Sequence, residues 1–224
     1  MFKQRSFSNK QRGFTLVELL VTISIFVLLT GIVLFSQSRF NSTIFLTNLA
    51  YDTALTLRQA QTFGINIKNF VTQSGNQFIN NFTPYGVHFD LASPQSFILF
   101  SDLDFSTVDN KIISDGLFDG NNSDNSPNLA LCETDFGCVN RYAINRGNYI
   151  KDLCVANSLN NWICGVEKLD IVFVRPNPDA QITINNETDN TYQFARIDLT
   201  DLNNENVRKV IVQGNGLIYV KIND

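Results

Sequence analysis

Residues 14–35 read FTLVELLVTISIFVLLTGIVLF, twenty-two positions with a single charged group, Glu18. At about 1.5 Å per residue, a helix of that length crosses the hydrocarbon core of a bilayer. The segment before it carries Lys3, Arg5, Lys10 and Arg12 with no acidic residue, and the next basic residue is Arg39. That asymmetry predicts a cytoplasmic leader at 1–13, a membrane helix at 14–35 and an extracytoplasmic C-terminal body. Glu18 needs a physical explanation, because a carboxylate inside an apolar span costs about 2.5 to 3.5 kcal/mol on insertion scales. Either it snorkels to the headgroups from near the start of the span, or a cation from another chain pairs with it.

The remainder of the chain sets the function classes. Of 224 residues, 44% are hydrophobic and 17% charged, the balance of a folded chain rather than a disordered one. With the leader, the span and the helical segment that follows it to residue 64 set aside, 160 residues remain, about one domain by the usual size prior. The net charge of −4 divides into +4 for residues 1–13 and −8 for everything from Phe14 onward, which holds 13 basic and 21 acidic residues. An acidic body argues against nucleic-acid binding. The lone histidine, His88, leaves little material for triads, imidazole bases or zinc sites, so the chain is expected not to be an enzyme. A secretory signal peptide ending near Ser36-Gln37-Ser38 is the competing reading of the N-terminus. It fits poorly with so long an apolar run and leaves Glu18 unexplained.

The segment KQRGFTLVELLVTISIF, residues 10–26, resembles the leader and N-terminal helix of type IV prepilins and type II secretion pseudopilins. The resemblance implies cleavage after Gly13 by a prepilin peptidase, N-methylation of the new N-terminal Phe14, and pairing of Glu18 with the terminal amine of a neighbouring subunit. It also implies other pilin or pseudopilin subunits and an inner-membrane assembly platform as partners. The expected location is the bacterial cytoplasmic (inner) membrane as a single-pass protein, then a pilus or pseudopilus. Uptake of DNA by such a filament stays open. Pairing across chains is physically reasonable, since neither charge is tolerated alone in lipid.

Beyond Phe35, Leu46, Ala50, Ala54, Leu57, Ala60 and Phe63 recur at three- or four-residue steps before Gly64. This is helix periodicity, and Gly64 reads as its C-terminal stop. Residues 36–64 are thus expected to continue the membrane helix as an amphipathic one and to pack on the head at 65–224. A coiled-coil seam is the alternative, but sustained heptads are lacking. The stretch YDTALTLRQAQTFGINIK, residues 51–68, resembles the corresponding segment of H-type minor pseudopilins and fimbrial T-type relatives. That resemblance implies a minor subunit. A signal-anchored extracytoplasmic binding module or enzyme that never polymerises is the second functional hypothesis.

After a polar stretch at 68–84, strand patterns occupy 85–91 and 95–102, joined by a turn at Ala92-Ser93-Pro94. Further strand patterns lie at 169–176, 180–184, 192–200, 207–213 and 217–222, with Gly214-Asn215-Gly216 as a hairpin turn. The expected class is α+β, with the long helix packed on an antiparallel sheet. Alternating neighbours around His88 favour a structural imidazole on one strand face.

Cys132, Cys138, Cys154 and Cys164 all fall within the outward-facing body, where disulfides persist. Their spacing is unlike that of zinc ligands, the competing reading. Three pairings exist; Cys132 with Cys138 and Cys154 with Cys164 close the shortest loops. No cofactor is expected apart from a weak calcium reading. Asp102, Asp104, Asp109, Asp115, Asp119 and Asp124 crowd a Gly- and Asn-rich segment, and oxygen ligands suit calcium. The run from Asp119 lacks glycine at the sixth loop position and has Ala130 at the twelfth, so a solvated loop is favoured. A glycosidase pair at Asp102 and Asp104 lacks any evident cleft.

Overall fold

A computed structural model describes residues 13–66, 70–71, 77–78, 83–102, 104–105, 112–113, 116–118, 137–159, 161–187 and 192–222. The chain opens with helix α1 (Leu16–Ile65). Then come β1 (Phe70–Val71), β2 (Gln77–Phe78), β3 (Tyr85–Asp90), β4 (Ser96–Ser101), β5 (Asp104–Phe105) and β6 (Ile112–Ile113). The later strands are β7 (Cys138–Ala143), β8 (Tyr149–Ala156), β9 (Trp162–Cys164), β10 (Lys168–Phe173) and β11 (Ala180–Ile184). The last three are β12 (Phe194–Thr200), β13 (Val207–Gln213) and β14 (Ile218–Lys221). The fold is α+β, as the sequence patterns indicate.

The chain divides into two compact units, Met1–Ser42 and Thr43–Asp224. In the first, the described part of α1 is apolar and open on every side: Leu16–Leu34 is long and apolar enough to cross a membrane, and none of it is buried. Its hydroxyl residues do not interrupt it. Thr22, Ser24 and Thr30 donate to the carbonyls of Leu19, Val21 and Phe26 at 2.9, 2.9 and 2.7 Å, so each satisfies its proton within the helix.

In the second unit, two five-stranded antiparallel sheets replace the single sheet expected from the sequence. Their orders are β11-β10-β3-β4-β7 and β14-β13-β12-β8-β9. Leu46, Ala50, Ala54, Leu57 and Ala60 of α1 form one core with Val87, Phe89 and Leu99 of the first sheet and Leu153, Ile197 and Val210 of the second. Burying a leucine contributes about 1.5 to 3 kcal/mol, so the packed half of the helix gains most of its stability from tertiary contact. Phe63, the last of the expected apolar stripe, is partly buried and meets the Tyr85 ring edge-on at 5.5 Å.

Polar contacts fix the helix against both sheets. Arg58 donates to the Ile218 carbonyl at 3.2 Å, and Gln61 donates to the carbonyls of Pro178 and Gly216, both at 2.9 Å. Arg208 donates to the Thr47 hydroxyl at 3.1 Å, and Tyr142 donates to Gln59 at 3.2 Å. Gly214-Asn215-Gly216 is the expected hairpin turn, closed by the Gly216 amide on the Gln213 carbonyl at 2.8 Å with Gly216 at φ +83°. In β14, Ile218 faces the core and Val220 packs beside it, whereas Ile222 lies past the strand end and is exposed.

Gly64 has a different role from the helix stop read in the sequence. It lies inside the last turn, one residue before the end of α1. A methyl group there would collide with the Phe173 carbonyl oxygen, so the glycine permits β10 and the helix to touch backbone to backbone. Gly64→Ala is expected to destabilise the head by about 1 to 3 kcal/mol through overpacking, measured as a lowered urea midpoint. An unchanged midpoint would show that the two backbones can separate at no cost.

Candidate functional site

The N-terminal residues that the sequence marks for processing lie at the start of α1. Gly13, Phe14 and Thr15 precede the helix, so the Gly13–Phe14 peptide bond is outside its hydrogen-bond ladder. Phe14 is 81% exposed. Bond cleavage between them would leave an amine on Phe14, one residue before the helix cap. The cap is Thr15: its Oγ1 accepts the Glu18 amide at 3.3 Å and donates to the Glu18 carboxylate, Oε2, at 3.5 Å. Thr15 thus supplies the side-chain half of a capping box, while the Glu18 carboxylate meets the Thr15 hydroxyl rather than its backbone amide; the acid sits in the first turn, where the helix dipole favours negative charge. Thr15 was not singled out in the sequence, although Thr-x-x-Glu ahead of an apolar run is the signal for it.

A long contact to one hydroxyl is a weak counterpart for a carboxylate, so the cap orients Glu18 without neutralising it. The site therefore presents a carboxylate in an apolar, fully exposed helical surface, beside the position where cleavage would create a cation. Such a geometry suits ion pairing with an amine from a second chain.

The other candidates lie in the head. The Nδ1 atom of His88 is 2.7 Å from Oδ1 of Asp170, and both residues are buried. The imidazole packs against the Phe118 ring at 5.0 Å, in keeping with a structural role. Burial pushes the Asp170 carboxyl above its ordinary value, an effect that His88 partly offsets. Asp102 is buried, and its Oδ2 accepts the Gly116 amide at 2.9 Å, so this carboxylate tethers a loop. Asp104 is in β5, and Asp109, Asp115, Asp119 and Asp124 lie outside the described residues together with Ala130.

Cys154 and Cys164 form the expected disulfide. Cys138 is also disulfide-bonded, and its expected partner Cys132 lies outside the described residues. Asp152, Cys154 and Cys164 have potential ligand atoms within 4.8 Å of one another, but both sulfurs are committed to the disulfide.

Residues 8–34 match the family model described as the prokaryotic N-terminal methylation motif. The matched segment contains Gly13, Phe14, Thr15, Glu18 and the whole apolar run, and it supports a type IV pilin or pseudopilin-like precursor. The motif implies processing by a prepilin peptidase and assembly with other pilin subunits, and with the apolar helix it fits a membrane-anchored pilin. Neither the curated proteins nor the solved structures yield a match to the chain.

The raised Asp170 carboxyl has a definite sign in stability. Its contribution is complete below the unfolded carboxylate value and is lost as pH rises through the raised folded value. Asp170→Asn is expected to reduce the fall in urea midpoint between about pH 4 and pH 8, leaving the share due to Asp198, which burial also raises. A fall as steep as in the parent would place the proton uptake elsewhere.

Proposed function

We propose that the chain is a structural subunit of a type IV pilus or type II secretion pseudopilus. A prepilin peptidase cuts after Gly13, Phe14 becomes the N-methylated terminus, and the N-terminal helix carries the subunit from the inner membrane into a filament. The head lies on the extracytoplasmic side. The role is non-enzymatic, and the resemblance of residues 51–68 to H-type minor pseudopilins supports a minor place in the filament.

The observation that carries this reading is the coincidence of the methylation motif with an apolar helical run, Leu16–Leu34, none of which is buried among the described residues. In a monomer, lipid must cover that surface. In a filament, other helices can cover it, and Glu18 then finds its cation in the Phe14 amine of a neighbour. Once cleaved, Phe14 and Glu18 stand four residues apart on each chain, so each subunit offers both an acceptor and a donor. Repetition of that pair fixes an axial register between subunits, because a misplaced copy leaves two charges unpaired in an apolar medium.

Glu18→Leu tests the assignment. It is expected to leave membrane insertion intact, or strengthen it, while reducing recovery of the subunit in sheared filaments by at least about tenfold, as a loss of 1.4 kcal/mol or more in assembly would do. Incorporation at the parent level would refute ion pairing as the basis of assembly.

A further inference from the structure

The disulfide between Cys154 and Cys164 has an unusual neighbour for a purely structural bond. The two cysteines are direct partners across β8 and β9, and β9 is a three-residue strand that, among the described residues, pairs with β8 alone at the edge of its sheet. Cys154 has no exposed surface, whereas Cys164 is exposed. Arg196, from β12, places Nη2 at 3.0 Å from the Cys154 sulfur and 3.4 Å from the Cys164 sulfur. The guanidinium is held there by Asp198 at 2.8 and 3.1 Å and by the face of Trp162, 4.8 Å from the ring centroid. Trp162 is in turn fixed edge-on against Phe194 at 6.4 Å.

A disulfide sulfur is a weak acceptor and gains little from a fixed cation. A thiolate gains much more, and a neighbouring arginine is one of the environments that lowers thiol pKa values. Two carboxylates oppose this cation: Asp198, which pairs with the guanidinium itself, and Asp152, whose carboxylate is within 4.8 Å of the sulfurs and is engaged by the Gly165 amide at 2.8 Å. Lys209 adds a second cation that acts on Asp198. Arg196 is the closest charged group in direct hydrogen-bond contact with the buried sulfur.

We propose that Cys154–Cys164 is a thiol–disulfide exchange site for a small-molecule thiol, with Cys164 as the attacked sulfur and Cys154 as the leaving group. The incoming thiolate bonds to Sγ of Cys164, and the electron pair of the broken S–S bond departs on Sγ of Cys154. One disulfide replaces another, so the oxidation level is unchanged. The Cys154 thiolate forms beside the guanidinium of Arg196, which lowers the barrier because a more stable leaving thiolate departs faster. A second thiol can then take the adduct from Cys164, leaving a dithiol and releasing the disulfide of the small thiol. Loss of the bond loosens β9, which then stays on the sheet through the short pairing of 162–164 with 154–156, the Trp162 contacts and the Gly165 amide on Asp152.

The test uses the full chain in detergent micelles with reduced glutathione as the probe. Free thiols are alkylated at intervals and the modified peptides are mapped by mass spectrometry. The expected first product carries glutathione on Cys164 and alkylation on Cys154. Arg196→Gln is expected to slow its formation at least about threefold, whereas Arg196→Lys retains most of the rate. If Arg196 merely packs against the edge strand, its removal loosens β9 and accelerates attack, the opposite sign. Glutathione on Cys154, or an unchanged or faster reaction in Arg196→Gln, overturns the proposal. Should that variant fail to fold, the position of glutathione on the parent chain still decides which sulfur is attacked.

Discussion

The head is built around the close approach of its strands to the small side chains of one helix. Ala50, Ala54 and Ala60 lie almost wholly out of solvent among side chains from both five-stranded sheets. Because they project only a methyl group, the strands can approach the helix closely, while Leu46 and Leu57 fill the space between. Thr53 and Thr56 extend the buried face, and Thr53 gives its hydroxyl proton to the Leu49 carbonyl, so a polar atom is buried at little cost. Gly64 completes the arrangement where even a methyl group is too large. The two sheets thus share a core whose central element is contributed by the same helix that carries the N-terminal motif.

The other half of that helix obeys the opposite rule. From Leu16 to Leu34 every side chain is left open, with hydroxyl groups satisfied internally and no buried face at all. A surface of this kind is stable only in lipid or against other helices. On the proposed function Glu18 selects between those two environments, because it is the sole charge in the run and, among the described residues, its cap offers it a hydroxyl and no cation. Lipid penalises it, and a neighbouring subunit with a free amine rewards it. The proposed filament role follows from this difference together with the methylation motif, whereas neither the apolar run nor the motif alone would carry it.

Much of this was legible in the sequence where one periodicity dominates. The helix stripe from Leu46 to Ala60 and the strands at 85–90, 180–184 and 207–213 appear where their patterns put them. Strands β7, β8 and β9 were not, for physical reasons. β7 runs as CVNRYA with one buried residue, and β9 is held by three pairs and a disulfide. β8 buries four consecutive residues, Leu153 to Ala156, which erases the alternation that betrays a strand. Two sheets rather than one could not be read from strand count, since pairing between distant strands is set by tertiary contact. At the N-terminus, Glu18 stood out because a charge sits inside an apolar run, whereas Gly13 and Phe14 were marked by the resemblance to prepilins. Thr15 was hidden by the same contrast, as a hydroxyl among apolar residues looks incidental until its bond to Glu18 is seen.

The most direct measurement of the central claim is the N-terminal sequence and intact mass of the full chain produced together with a prepilin peptidase. The account requires a product that begins at N-methylated Phe14 and retains the apolar helix. A chain that still begins at Met1, or one cut beyond the helix near Arg39, would contradict it and return the protein to an anchored or secreted module.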